Sequence, residues 1–225
     1  MEGRFPGVPR KFMAGGHELG YILPLSNDPE GGPSERSVAV FEQNFNQLFY
    51  VFNYGLYKFV VLSSDLELLQ SGPEDLIKKK HLQTEFYQNE IACSERPVII
   101  MIHDPDALAS MWPFLEKHQD RIARVFSGHQ HARWVNWIYP KICSVASSRI
   151  LEILLKPLFN KLFPGKADAV WVYFQNNKNN AHIWKQLNLS IIPAPGGMMG
   201  IGGGFLVADL KKDDIKVRKI KAPKP

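Results

Sequence analysis

Val125-Phe126-Ser127-Gly128-His129-Gln130-His131 decides the reading of this chain. An apolar run ends in Ser-Gly, and two histidines then stand two residues apart, on one side of an extended segment. Upstream, Val98-Ile99-Ile100-Met101-Ile102 has the continuous apolar character of a strand buried on both faces, and it too ends in a histidine, His103. Two parallel strands that each finish in histidine bring His103, His129 and His131 to the same edge of one sheet, where α/β proteins build their sites. Neutral imidazoles grouped in this way are metal ligands, each held in place through its second ring nitrogen.

A third element precedes these two: Ala14-Gly15-Gly16-His17-Glu18-Leu19-Gly20. The order G-x-H-[D/E], then a strand ending in histidine, then G-H-x-H resembles the last three motifs of the calcineurin-like metallophosphoesterases. Lys58-Phe59-Val60-Val61-Leu62-Ser63-Ser64-Asp65 looks like the strand that follows the first of them. The resemblance covers roughly residues 10 to 135, and more weakly the glycine-rich tail. It implies an α/β fold, a four-layer α/β/β/α sandwich of two mixed sheets. It also implies a phosphoric ester hydrolase with two divalent metal ions (manganese, iron or zinc) about 3.5–4 Å apart. By the same resemblance His103 and His129 serve one metal and His131 the other. His17 contacts the substrate phosphate and protonates the leaving oxygen, and Glu18 orients its ring.

The chain departs from that family at identifiable places. The family's D-x-H and G-D-x-x-D motifs have no counterpart ahead of His17, and Gly16 stands where the family has a metal-binding Asn. The expectation is therefore a single metallophosphoesterase-like domain over residues 1–225 without its N-terminal strands, and with a helical insertion at about 140–168. Two further readings follow from the incomplete ligand set. One is a non-catalytic, degenerate relative that keeps the fold as a binding module. The other is a remodelled mononuclear site in which His103, His129 and His131 share one zinc, since three histidines and an open position suffice to activate water.

With 225 residues, 45% hydrophobic and 12% aromatic, the chain can bury a substantial core as one domain. A formal charge of +5 suits anionic partners, yet the basic residues Lys78-Lys79-Lys80 and those between Lys211 and Lys224 read as solvated surface, so no specific nucleic-acid binding is expected. Cys93 and Cys143 are too few for a disulfide framework and lack metal-ligand spacing. Together with the absence of a signal-peptide pattern or an apolar span, they point to a cytoplasmic setting. The segment 147–163 sets Arg149, Lys156 and Lys161 against many leucines, isoleucines and phenylalanines, a pattern shared by core helices, site lids and membrane-surface helices. The substrate class stays broad: a phosphorylated small molecule, nucleotide, lipid or protein.

Local signals place the remaining elements. Ser34 or Ser37 caps a helix carrying Val38, Phe41, Phe45 and Leu48 on one face. Phe49–Phe52 and Lys58–Leu62 form a hairpin around Asn53-Tyr54-Gly55. Pro73 opens a helix running to about Ile91, and Asp104 caps one over Ala107–Glu116. Leu189–Ile192 and Phe205–Ala208 are strands on either side of the loop Ala194–Gly204, with a closing hairpin over Asp213–Ile220. That glycine-rich loop lacks the helix and Lys-Ser/Thr of a phosphate-binding loop, so it reads as a flexible segment beside the cleft. His81, His118 and His182 lie in no such context and read as surface or packing residues.

Overall fold

The structure, a computed structural model, describes residues 10–19, 33–45, 47–128, 157, 161, 176, 179–192, 204–211 and 214–221. Their elements run α1 (Gly16–Leu19), α2 (Glu35–Asn44), β1 (Tyr50–Tyr54), β2 (Tyr57–Leu62), α3 (Ser64–Leu68), α4 (Glu74–Ala92), β3 (Val98–Ile102), α5 (Ala107–Leu115), a 3-10 turn (Glu116–Arg121), β4 (Ile122–Ser127), β5 (Leu189–Ile191), β6 (Gly204–Lys211) and β7 (Asp214–Lys221). The class is α/β, as expected. A mixed five-stranded sheet has the order β1-β2-β3-β4-β5, and a separate two-stranded antiparallel sheet pairs β6 with β7. Within the large sheet β1 is the antiparallel edge, while β2 to β5 run parallel.

Alternation along the parallel strands fixes which side chains face which layer. Val60, Leu62, Val98, Ile100, Ile102 and Val125 point to a core shared with Tyr87 and Ile91 of α4, Leu108 and Met111 of α5, and Ile183 and Leu187. Tyr57, Phe59, Ile99 and Phe126 point the other way, onto Ile215 and the partly buried Leu206, Ala208 and Val217 of the β6–β7 pair. Both faces are thus covered, which is why the strands read as unbroken apolar runs rather than alternating ones.

The capping expectation resolves in favour of Ser34. Its hydroxyl accepts from the Ser37 N–H and the Ser37 hydroxyl accepts from the Ser34 N–H, each at 3.0 Å, a reciprocal capping box. Ser34→Ala is expected to cost about 1 kcal/mol in a denaturant titration, because it orphans a first-turn N–H; no change would mean that water replaces the cap. The helix is shorter than its apolar spacing suggests: it stops at Asn44, leaving Phe45 exposed and Leu48 buried beyond its end. There the Leu48 N–H is taken by the Glu42 carboxylate at 3.3 Å.

The hairpin forms with Tyr54 opposite Tyr57, so the turn is Gly55-Leu56 rather than Asn53–Gly55. Gly55 sits at φ 58°, the left-handed region that a two-residue hairpin turn demands of its first residue. β2 ends at Leu62, as the hairpin reading Lys58–Leu62 expects, so the longer family-like stretch through Asp65 is not all strand: Ser63 turns the chain into α3 by accepting the Leu66 N–H on its hydroxyl at 3.4 Å. The expected strands at 189–192 and 205–208 both exist, but they belong to different sheets.

The N-terminal segment is docked where the site will need it. Ala14 and Leu19 are buried with Val38, Phe41 and Leu48. The Tyr50 hydroxyl donates to the Phe12 carbonyl at 2.8 Å, and the Ser37 hydroxyl donates to the Leu19 carbonyl at 3.0 Å. The expected insertion at 140–168 lies outside the described residues apart from 157 and 161, which are both helical. Residues 194–203 of the glycine-rich loop also lie outside them. Among the described residues no helix is long and apolar enough to cross a membrane.

Candidate functional site at the carboxyl ends of β2, β3 and β4

Leu62, Ile102 and Ser127 are mutual register partners across three parallel strands. The next residue on each strand, Ser63, His103 and Gly128, therefore leaves the sheet at one line, the edge at which open α/β sheets bind ligands. The His103 carbonyl is held by β4: the Ser127 hydroxyl donates to it at 2.6 Å and the Gly128 N–H at 3.1 Å. This fixes the backbone beneath a half-buried imidazole.

Two glycines lie against that ring. A β-carbon on Gly15 would come 3.1 Å from His103 Cε1 and 3.2 Å from Nδ1, and one on Gly128 would come 3.3 Å from Nδ1. Only residues without a side chain allow the backbone to approach this closely. The Gly15 position would also lie 2.7 Å from Glu18 Oε2, because the Glu18 carboxylate accepts the Gly15 N–H at 3.0 Å. That bond is the back-reaching half of a capping box, from the third residue of α1 to the residue before it. Elements of all three sequence motifs, Gly15 with Glu18, His103, and Gly128, therefore meet at one imidazole.

The sequence-derived residues divide as follows. His103 and Glu18 are in the site, with Glu18 bonded to the Gly15 backbone. His17 is in α1, and its side chain lies outside what the structure describes, so the expected pairing with Glu18 does too. His129 and His131 lie outside the described residues. Among the described residues, no three His, Cys, Asp or Glu side chains are grouped closely enough to hold a metal ion. Imidazole beside carboxylate is nonetheless donor chemistry that manganese, iron and zinc accept. Of the bystanders, His81 is exposed, His118 stacks on Phe114 with centroids 4.3 Å apart, and His182 sets its edge toward Trp112. All three fit the surface or packing roles expected of them.

Buried carboxylates around the same edge were not anticipated as part of a site. Asp65 on α3 is pushed up to about 6, chiefly by burial, then by the charges of Asp104 and, more weakly, Glu18. Asp104 is likewise raised to about 6 by burial, against the pull of the Asp106 N–H that its Oδ1 accepts at 2.9 Å. That bond closes a turn ahead of α5 and is not the helix cap read from sequence: the N-cap of α5 is Asp106, which makes no side-chain capping bond, and the helix ends at Leu115 rather than Glu116. Asp106 is raised to about 7 by burial and by Asp104, although Asn180 Nδ2 donates to its Oδ1 at 3.1 Å. Placing like charges together in a low-dielectric pocket opposes their ionisation, and functional sites are where folds tolerate that cost. The available signal was slight: three aspartates within four residues of a strand end.

No protein-family model, curated protein or solved structure matches this chain.

Proposed function

We propose that the chain is a metal-dependent hydrolase of phosphoric esters of the calcineurin-like metallophosphoesterase kind. The observation that carries this reading is the meeting of Gly15, Glu18 and Gly128 around the imidazole of His103 at the carboxyl edge of a parallel sheet. In this reading the five-stranded sheet and the β6–β7 pair belong to a four-layer α/β/β/α sandwich. His103, His129 and His131 would hold divalent manganese, iron or zinc. When bound, such an ion lowers the pKa of water and draws charge from phosphoryl oxygens.

The chain's own residues have separable tasks. Ser127 and Gly128 fix the His103 backbone through its carbonyl. Glu18 closes the first turn of α1, and so sets the backbone that carries His17. His17 contacts the phosphate and gives a proton to the leaving oxygen, a task that needs an imidazolium near neutral pH. The substrate is a phosphorylated small molecule, nucleotide, lipid or protein, met in the cytoplasm.

The test pairs metal content, by elemental mass spectrometry on untagged protein, with manganese-dependent hydrolysis of p-nitrophenyl phosphate and bis(p-nitrophenyl) phosphate. His103→Ala is expected to cost more than the roughly 10–100-fold lost when an outer-shell partner of a metal is removed. One ion per chain with turnover would select the mononuclear three-histidine form. Neither metal nor turnover would sink the hydrolase reading and leave a binding module.

A further inference from the structure

We infer that Gln83 is a positioning residue for this site: from α4 it latches the β2–α3 elbow, and the elbow carries Asp65 at the carboxyl edge where His103 leaves the sheet. Gln83 is fully buried. Its side-chain amide makes both bonds to one residue, accepting the Ser63 N–H at 2.8 Å and donating to the Ser63 carbonyl at 3.0 Å. Ser63 lies one step past the last register pair of β2 with β3, so neither backbone group is served by the sheet ladder. A buried amide that supplies donor and acceptor together acts there as one more residue of strand. The Ser63 hydroxyl simultaneously caps α3, which fixes the direction in which that helix leaves the sheet.

The far end of the elbow is tied independently. Glu67 is buried and accepts the Ser110 hydroxyl at 2.9 Å, which joins α3 to α5. Asp65 sits between these two anchors and is itself buried. Their effect on the site passes through the placement of the Asp65 carboxylate, whose charge adds to those of Asp104 and Glu18 around the strand ends. The functional meaning of that placement rests on the hydrolase reading; the latch itself does not.

The experiment uses the full metal-free chain and its Gln83→Met and Gln83→Glu variants. Amide exchange reports the latch, and carbon-detected titration of the Asp65 carboxyl reports the placement. In Gln83→Met the Ser63 amide is expected to exchange at least about tenfold faster while Val98–Ile102 stay protected, since a lost hydrogen bond of about 1.5 kcal/mol corresponds to that factor. The Asp65 midpoint is expected to fall from about 6 toward the ordinary carboxylate range, with Asp106 unchanged near 7 as an internal control. Gln83→Glu keeps an acceptor for the Ser63 N–H and loses the donor, so its exchange should lie between the two; it serves alone if the methionine variant does not fold. Unchanged exchange at Ser63 would overturn the latch. Faster exchange with an unmoved Asp65 midpoint would overturn the positioning role. A parent chain without phosphoesterase turnover removes the hydrolase reading but leaves both of these readouts decisive.

Discussion

At pH 8 the Asp106→Asn chain is expected to melt roughly 5–10 °C above the parent, and at pH 4 the two should coincide. Asp106 is 9% exposed and its carboxyl is pushed up to about 7, so the fold holds the neutral acid far better than the carboxylate. The sign follows from the direction of the shift. Below the ordinary carboxylate range both folded and unfolded states are protonated, and the group is neutral in its effect. As pH rises, the unfolded chain loses its proton first, and stability drains away until the folded group also ionises near pH 7. Above that the penalty is constant, on the order of 2–4 kcal/mol at about 1.4 kcal/mol per pH unit. Asparagine carries no charge to desolvate and keeps an oxygen for the Asn180 Nδ2 donor, so the penalty disappears while the hydrogen bond survives. Calorimetry at unit intervals between pH 4 and 8 decides the matter. A melting shift of equal size at every pH would assign the effect to steric fit rather than charge.

The second large effect concerns function. Gly15→Ala is expected to lower metal-dependent turnover by roughly 10–100-fold while costing only about 1–3 kcal/mol of stability. The added methyl would lie 2.7 Å from Glu18 Oε2, which can swing away, and 3.1 Å from His103 Cε1, which cannot do so freely. The His103 backbone is held through its carbonyl by Ser127 and Gly128, so relief must come from rotation of the ring itself. Glu18→Gln separates the two contributions, because it keeps an oxygen for the Gly15 N–H at unchanged volume. Loss of turnover in Gly15→Ala with little change in Glu18→Gln would locate the effect at the imidazole. Parent-level turnover in Gly15→Ala would count against His103 as a ligand.

What the sequence made legible follows from range. The apolar run Val98–Ile102 announces a buried strand through composition alone, and His103, directly after it, emerges at the sheet edge. The cap at Ser34 is equally local. The elbow into α3 was hidden because Ser63-Ser64-Asp65 carries no break signal of its own; there the Ser63 hydroxyl caps the helix, its carbonyl also accepts the Glu67 N–H, and a glutamine twenty positions away bonds both of its backbone groups. The pressure on Asp65, Asp104 and Asp106 was equally invisible, since it arises from burial beneath elements as distant as Asn180. The same limit explains the end of the chain, where the hairpin expected over Asp213–Ile220 is instead one strand, β7 (Asp214–Lys221), whose partner is β6.

The strand order has a temporal consequence. Because β1 to β5 lie side by side in the order in which they are synthesised, each new strand finds its neighbour already in place, and the sheet can grow vectorially on the ribosome. A nascent chain that has emerged only as far as Arg121 holds β1 to β3 and the helices α2 to α5. It does not yet hold Ser127 or Gly128, the donors that pin the His103 carbonyl. Completion of this edge is therefore timed by the arrival of β4, and the backbone of His103 is pinned only once that strand has been translated.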